Sequence, residues 1–179
     1  MVLGEGACFL VLEPEDRARA RDARIRAIIE GTAMGRAPVA PHAVPRDPAP
    51  MARTIVRAIE SAGIGPGDID AVFASATGSR ALDAVEAAAL RLAFENAPPP
   101  AVSVRGALGE SGAGGAASAA AACCALAEGR LPATAGLVHP DPALGLDVSS
   151  SARTLALRRV LITGFASGGA AAALVIAHP

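Results

Sequence analysis

The sequence predicts a layered α/β domain. Short apolar runs alternate along the chain with amphipathic stretches of helical period, and glycine and proline clusters separate them. The last two β-rich runs are joined by Ala166-Ser167-Gly168-Gly169, a hairpin signal. The 179 residues, 52% of them apolar, are enough for one domain with a real core. The charged fraction of 18% is too low for a chain disordered throughout.

Each element has a local reason. Residues 7–13 (ACFLVLE) are a short apolar run that reads as a strand, beginning almost at once after Met1 with no preceding element. In residues 14–21 the acids Glu15 and Asp16 come first and Arg17, Arg19 and Arg21 follow, the charge order that suits a helix dipole. Residues 25–32 fit a second strand, and residues 35–50 hold five prolines and read as a loop. Residues 51–62 place Met51, Ile55, Val56, Ile59 and Ala62 on a helical stripe. Residues 69–74 read as a strand, and residues 81–94 as a helix with Ala81, Val85, Ala88 and Leu92 on one face. Pro98-Pro99-Pro100 ends that unit. Residues 101–104 form a brief apolar run, residues 113–128 an alanine-rich helix closed by Gly129, and residues 131–151 an irregular stretch. Residues 154–164 and 170–177 read as the closing strands. With the shortest of the six apolar runs, residues 101–104, set aside, the expectation is a mixed five-stranded sheet with the final hairpin at its antiparallel edge.

Composition excludes several function classes. A net charge of −1 gives no basic surface for nucleic acid or an anionic membrane. The uncharged run of residues 111–127 is short and alanine-dominated, so it reads as a buried helix rather than a span. Cys8, Cys123 and Cys124 do not form a disulfide framework and suit a reducing cytoplasm. His42, His139 and His178 are scattered, so no metal site and no cofactor are expected. With no Trp, no Tyr and four Phe, the core must rely on small residues, which requires close backbone packing or a partner surface.

Two loops have the outline of a catalytic site: Ala74-Ser75-Ala76-Thr77-Gly78-Ser79, followed by Asp83 and Glu86, and Ser103-Val104-Arg105-Gly106-Ala107-Leu108-Gly109-Glu110. Each lies between a short strand and a helix, where an α/β fold presents groups to ligands. From the residues alone, Ser75 and Thr77 read either as substrate-positioning hydroxyls or as caps of the next helix. Glu110 and Arg105 read either as a functional acid and an anion-binding base or as an ordinary ion pair. Cys123 and Cys124 read as small core residues.

The motif order resembles the C-terminal half of a β-ketoacyl-[acyl-carrier-protein] synthase or chain-length-factor-like protein of the thiolase superfamily. The resemblance rests on Gly4-Glu5-Gly6-Ala7 leading into residues 10–13, and on Asp68-Ile69-Asp70. It also rests on Thr77-Gly78 with Asp83 and Glu86, on Leu131-Pro132-Ala133-Thr134, on Pro140-Asp141-Pro142, on Leu146-Asp147, and on Phe165 with Gly168-Gly169. It implies a thiolase-like half-fold over residues 1–179. It also implies that both active-site histidines are replaced, by Ser75 and Glu110, and that Arg105 stands for a lysine. Phe165, Ser167, Gly168 and Gly169 fall at the acyl-binding turn, where Ser167 replaces a gating Phe and Ala171 an Asn. The nucleophilic cysteine belongs to the half of the family's fold that these residues do not match.

Condensation of acyl groups needs a thiolate to hold the acyl chain and neutral imidazoles to stabilise the enolate. A serine is too short to replace an imidazole, and an ionised Glu110 would repel the enolate. The loss of one oxyanion donor costs about 3 kcal/mol, roughly a hundred-fold or more in rate. The resemblance therefore implies a subunit of a fatty-acid or polyketide synthase that is non-catalytic by itself. It would complete a split ketosynthase as a hetero-oligomer with an N-terminal-half ketosynthase-like subunit and shape the acyl cavity, with an acyl carrier protein as a further partner. A lone half would expose the alanine-rich helix and an apolar sheet face. Two alternatives stand beside this: an acyltransferase or thioesterase-type subunit using Ser75 and Glu110 with a partner's cysteine, and a scaffold without acyl chemistry. Replacement of Glu110 by Gln separates the first alternative from the non-catalytic reading: the activity of the assembled protein falls sharply if Glu110 takes part in acyl transfer and scarcely changes otherwise.

Overall fold

In the computed structural model, residues 2–179 are described, and Met1 lies outside them. Five strands build the main sheet: β1 (Ile28–Arg36), β2 (Ala71–Phe73), β3 (Ala101–Val102), β6 (Arg159–Phe165) and β7 (Ala170–Ala177). They lie in the order β1-β7-β6-β2-β3. The pairs β1/β7 and β6/β7 are antiparallel, whereas β2/β6 and β2/β3 are parallel. A separate two-stranded ribbon joins β4 (Arg130–Leu131) to β5 (Arg153–Thr154). The helices are α1 (Glu15–Ala20), α2 (Ala49–Ser61), α3 (Arg80–Ala93), a single turn α4 (Arg105–Leu108) and α5 (Gly114–Glu128).

Strand alternation divides the core into two layers. Val72, Leu161 and Val175 point to one face and pack with Met51, Ile55 and Ile59 of α2 and Val85 and Leu90 of α3. Their neighbours Ala71, Phe73, Val160, Ile162 and Ile176 point the other way and pack with Ala119, Ala122, Ala125 and Leu126 of α5. A period of two in the strands feeds a period near 3.6 in the helices on each side, which makes a helix–sheet–helix sandwich. Asp70 holds the start of the sheet in register: its Oδ2 accepts the N–H groups of Arg158 (2.6 Å) and Arg159 (2.8 Å).

The mixed five-stranded sheet agrees with the sequence reading, but its membership differs. Residues 7–13 form no strand; they run unpaired and largely exposed. The brief run set aside, Ala101–Val102, is instead the parallel edge strand, because Pro100 and Val102 carbonyls accept the N–H groups of Val72 (2.9 Å) and Ala74 (2.8 Å). The final hairpin is not at an edge. β1 pairs with β7 from Ile28↔Ala177 to Arg36↔Ala170, which moves the hairpin inward and carries β1 four residues past its expected end at residue 32. The stretch 154–164 splits into β5 and β6. Helices pack on both faces of the sheet, but Ile29 and Met34 of β1 stay exposed, as do Phe9, Leu10, Val11 and Leu12 in the unpaired run before α1.

The aromatic-poor core closes by small-residue contact. Four alanines begin β7, and Gly31 and Gly35 of β1 lie directly under α2. A Cβ at Gly31 would collide with the carbonyl oxygen of Ala58 and stand 2.8 Å from Ala62 N, both backbone atoms that cannot swing aside. Gly31→Ala is expected to lower stability by about 1–3 kcal/mol, the usual cost of overpacking. A denaturation midpoint equal to that of the parent chain would show that α2 is free to move outward.

Candidate functional site

The loop after β2 is organised by one buried carboxylate. Glu86, on the inward side of α3, accepts three hydrogen bonds at Oε1: from Ser75 N–H (2.9 Å), from the Ser75 hydroxyl (3.0 Å) and from the Thr163 hydroxyl of β6 (2.6 Å). The Ser75 oxygen in turn accepts the N–H of Phe165 (3.2 Å). The hydroxyl of Ser75 is thus turned inward and fully engaged; it caps no helix. Farther along, the Asp83 carboxylate accepts the N–H groups of Thr77 (3.0 Å) and Gly78 (3.0 Å), which fixes the loop's outer turn.

The second loop follows β3. Ser103 donates its hydroxyl to the Ala76 carbonyl (2.6 Å), which ties the two loops together, and its N–H donates to the Thr134 hydroxyl (3.3 Å). Arg105 and Glu110 form an ion pair at 3.1 Å. The Arg105 side chain is only 10% exposed, and Gly114 at the start of α5 leaves the space its guanidinium occupies. Arg105 Nε and Thr77 Oγ1 are buried without a hydrogen-bond partner among the described residues.

The loops enclose a cleft of about 610 Å³ lined by Ala76, Thr77, Glu86, Ser103, Arg105, Glu110, Thr134 and apolar groups such as Leu137 and Leu146. The structure therefore brings Thr77, Arg105 and Glu110 to one cavity. Ser75 stands behind Glu86 and is not among the lining residues. Neither are Phe165, Ser167, Gly168 and Gly169. Their turn packs on the proline-rich loop: Gly168 N–H donates to Ala43 O (2.8 Å), Gly169 O accepts Ala37 N–H (2.8 Å), and both glycines have φ near +80°. No histidine or cysteine lines the cleft among the described residues. Sequence reading missed Thr163, which sits in an ordinary apolar strand pattern, the Ser103–Ala76 bond between the loops, and Thr134 as acceptor of the Ser103 N–H.

Electrostatics follow from burial. Loss of hydration pushes the Glu86 carboxyl above its ordinary value of 4.5, against the three hydrogen bonds and with a smaller upward push from Asp83. Asp83 is also raised by burial, opposed by its two backbone donors. Burial raises the Cys123 thiol as well, which makes it a poorer nucleophile. Among the described residues, no group of three or more metal-ligating side chains comes together, and no helix is long and apolar enough to cross a membrane.

This architecture defines the class: a thiolase-like α/β half-fold with two loops facing one cleft. Residues 26–138, well over half the chain, match the family described as beta-ketoacyl synthase, C-terminal domain. The chain belongs to the β-ketoacyl synthase family. It is 38% identical over 150 residues to 3-oxoacyl-[acyl-carrier-protein] synthase 2 of Mycobacterium tuberculosis, covering 82% of this chain and 36% of that protein. It is 37% identical over 184 residues to the tetracenomycin polyketide synthase ketoacyl synthase beta subunit of Streptomyces glaucescens, covering 98% and 43%. The solved ishigamide ketosynthase/chain length factor superposes with a TM-score of 0.94 at 35% identity, covering 99% of this chain and 44% of that one. The chain thus spans about two-fifths of the length of these relatives.

The Glu86 shift sets a pH dependence. The folded chain holds this proton more tightly than the unfolded chain, so the stabilising contribution is complete below about pH 4.5 and is lost as pH rises through the folded-state value. Glu86→Gln, which stays uncharged, is expected to flatten the fall in stability above that pH. Urea midpoints measured across the range test this; parallel curves for the two proteins would contradict a buried, proton-retaining Glu86.

Proposed function

We propose that this chain is a ketosynthase-like subunit of a polyketide or fatty-acid synthase, non-catalytic by itself, which completes a ketosynthase-type partner and shapes its acyl cavity. In this reading residues 1–179 act as one unit equivalent to the family's C-terminal half. The observation that carries it is the cleft's lining: both family loops reach it, and they bring neither a thiol nor an imidazole. Condensation requires both kinds of group. At one of the two histidine positions the hydroxyl of Ser75 is spent on Glu86, and at the other the Glu110 carboxylate is held by Arg105. Neither arrangement presents a neutral donor to a developing enolate.

The similarity to a polyketide synthase beta subunit and to the ishigamide ketosynthase/chain length factor supports the assignment to an assembly of this type. Similarity to 3-oxoacyl-[acyl-carrier-protein] synthases supports an acyl carrier protein as the donor of the growing chain. The outer side of α5 supports a partner: residues 111–127 are uncharged, with Gly115, Cys124 and Ala127 facing solvent. An uncharged, small-residue helix face permits close backbone approach and is poorly served by water.

The purified chain is expected to release no carbon dioxide from malonyl thioester and to form no condensed product. Co-expression with a cysteine-bearing ketosynthase-type half is expected to yield a soluble hetero-oligomer that still forms no condensed product. Elongation by the chain on its own, or a chain that remains monomeric beside such a half, would sink the proposal.

A further inference from the structure

The cleft is lined by an acid that the fold uses only by half. The donors that reach the Glu86 carboxyl group, Ser75 N–H and the hydroxyls of Ser75 and Thr163, all converge on Oε1. Oε2 has no hydrogen-bond partner among the described residues, yet it is not sealed. Thr77 Oγ1 and Arg105 Nε, in the same cleft, are unpartnered and closed off from solvent; Glu86 Oε2 is not closed off in this way. Glu86 is 3% exposed and lines the cleft, so the opening in front of Oε2 is the cavity.

The same arrangement fixes where a proton sits. A carboxyl oxygen has two lone pairs, and three donors leave Oε1 none to spare. A proton on Glu86 therefore rides on Oε2, and the cavity is where it finds an acceptor. Burial holds the proton there, with a smaller push from Asp83, three residues back on α3. The neighbours from β6 and from the loop after β2, Thr163 and Ser75, are uncharged. The loop after β3 brings Arg105 and Glu110 to the cleft, but these are paired with each other. Ser103 is committed to the Ala76 carbonyl, and Asp83 to the N–H groups of Thr77 and Gly78.

A neutral acid in a mostly apolar cavity stays unmet until an oxygen acceptor reaches it, and a buried donor without an acceptor is costly. A saturated hydrocarbon offers none. A ketone oxygen offers one and brings no charge that must be stripped of water. We propose that Glu86 selects the cargo of the cleft: its neutral carboxyl group donates a hydrogen bond from Oε2 to a ketone oxygen on the acyl chain, so the cavity takes an oxygenated chain in preference to a saturated one. This rests on the reading that the cleft holds an acyl chain and adds the residue that discriminates among such chains.

Two probes test this, the pantetheine amides of 3-oxooctanoic acid and octanoic acid, which differ by one ketone and cannot acylate a cysteine. Their binding to the full chain, alone and in the hetero-oligomer, is measured by calorimetry across pH. The oxo probe is expected to bind about ten-fold more tightly where Glu86 keeps its proton, the worth of one good hydrogen bond. That preference is lost as pH rises through the folded-state value of Glu86. Glu86→Gln keeps an N–H donor without a titratable proton, so it is expected to retain the preference and lose its pH dependence. An isotope label at the ketone carbon gives a second readout from the parent chain itself: the infrared stretch of the ketone moves to lower frequency on binding. Equal affinities below the folded-state value, an unshifted ketone band, or a pH dependence that persists in Glu86→Gln overturns the donor and leaves the acyl-cavity reading standing. Binding of neither probe, to the chain or to the hetero-oligomer, overturns both.

Discussion

The shape of the cleft depends on a single carboxylate withdrawn from water. A carboxyl group in a dry site is costly unless donors surround it. Glu86 meets that condition with three donors drawn from two segments far apart in sequence, the loop at Ser75 and strand β6 at Thr163. The same oxygen therefore decides where the loop after β2 lies against the sheet. Ser103 transmits this placement to the second loop through the Ala76 carbonyl. The network is high in consequence because each member is buried: removal of one donor leaves the others facing an incompletely satisfied acid.

In the reading proposed above, this network holds the scaffold's form independently of the reacting groups. The residues that hold the loops, Glu86, Asp83 and Ser103, are distinct from those that stand where imidazoles are expected, Ser75 and Glu110. Of these, Ser75 has joined the internal hydrogen bonding, and Glu110 has become one end of an ion pair seated against Gly114. The cleft persists as a mostly apolar cavity bounded by fixed polar groups. A mostly apolar cavity with a few fixed polar groups has the make-up of a small-molecule site.

The order of elements was readable because α2 and α3 carry strong helical periodicity and because prolines and glycines break the chain where the structure does. Strand pairing was not readable. Residues 7–13 look like a better strand than residues 101–102, yet the latter pair and the former do not, because pairing depends on which backbone lies alongside. The alanines of β7 favour a helix locally, and only their position between β1 and β6 makes them a strand. At the site, motif spacing located Thr77, Asp83, Glu86, Arg105 and Glu110. It did not reveal that Ser75 points away from the cleft or that the Gly168-Gly169 turn braces the proline-rich loop, since side-chain direction depends on tertiary partners such as Thr163 and Ala43.

The glycine seats beneath α2 constrain how this protein can vary through descent. Gly31 touches the backbone at Ala58 and Ala62, and Gly35 lies against the Thr54 hydroxyl, so no margin separates sheet from helix there. A bulkier residue at position 31 has nowhere to go unless the helix shifts, and one at position 35 needs Thr54 to give way to a smaller residue. Positions 35 and 54 are thus expected to change as a matched pair across related sequences, whereas position 31, which faces main-chain atoms, admits no compensating exchange.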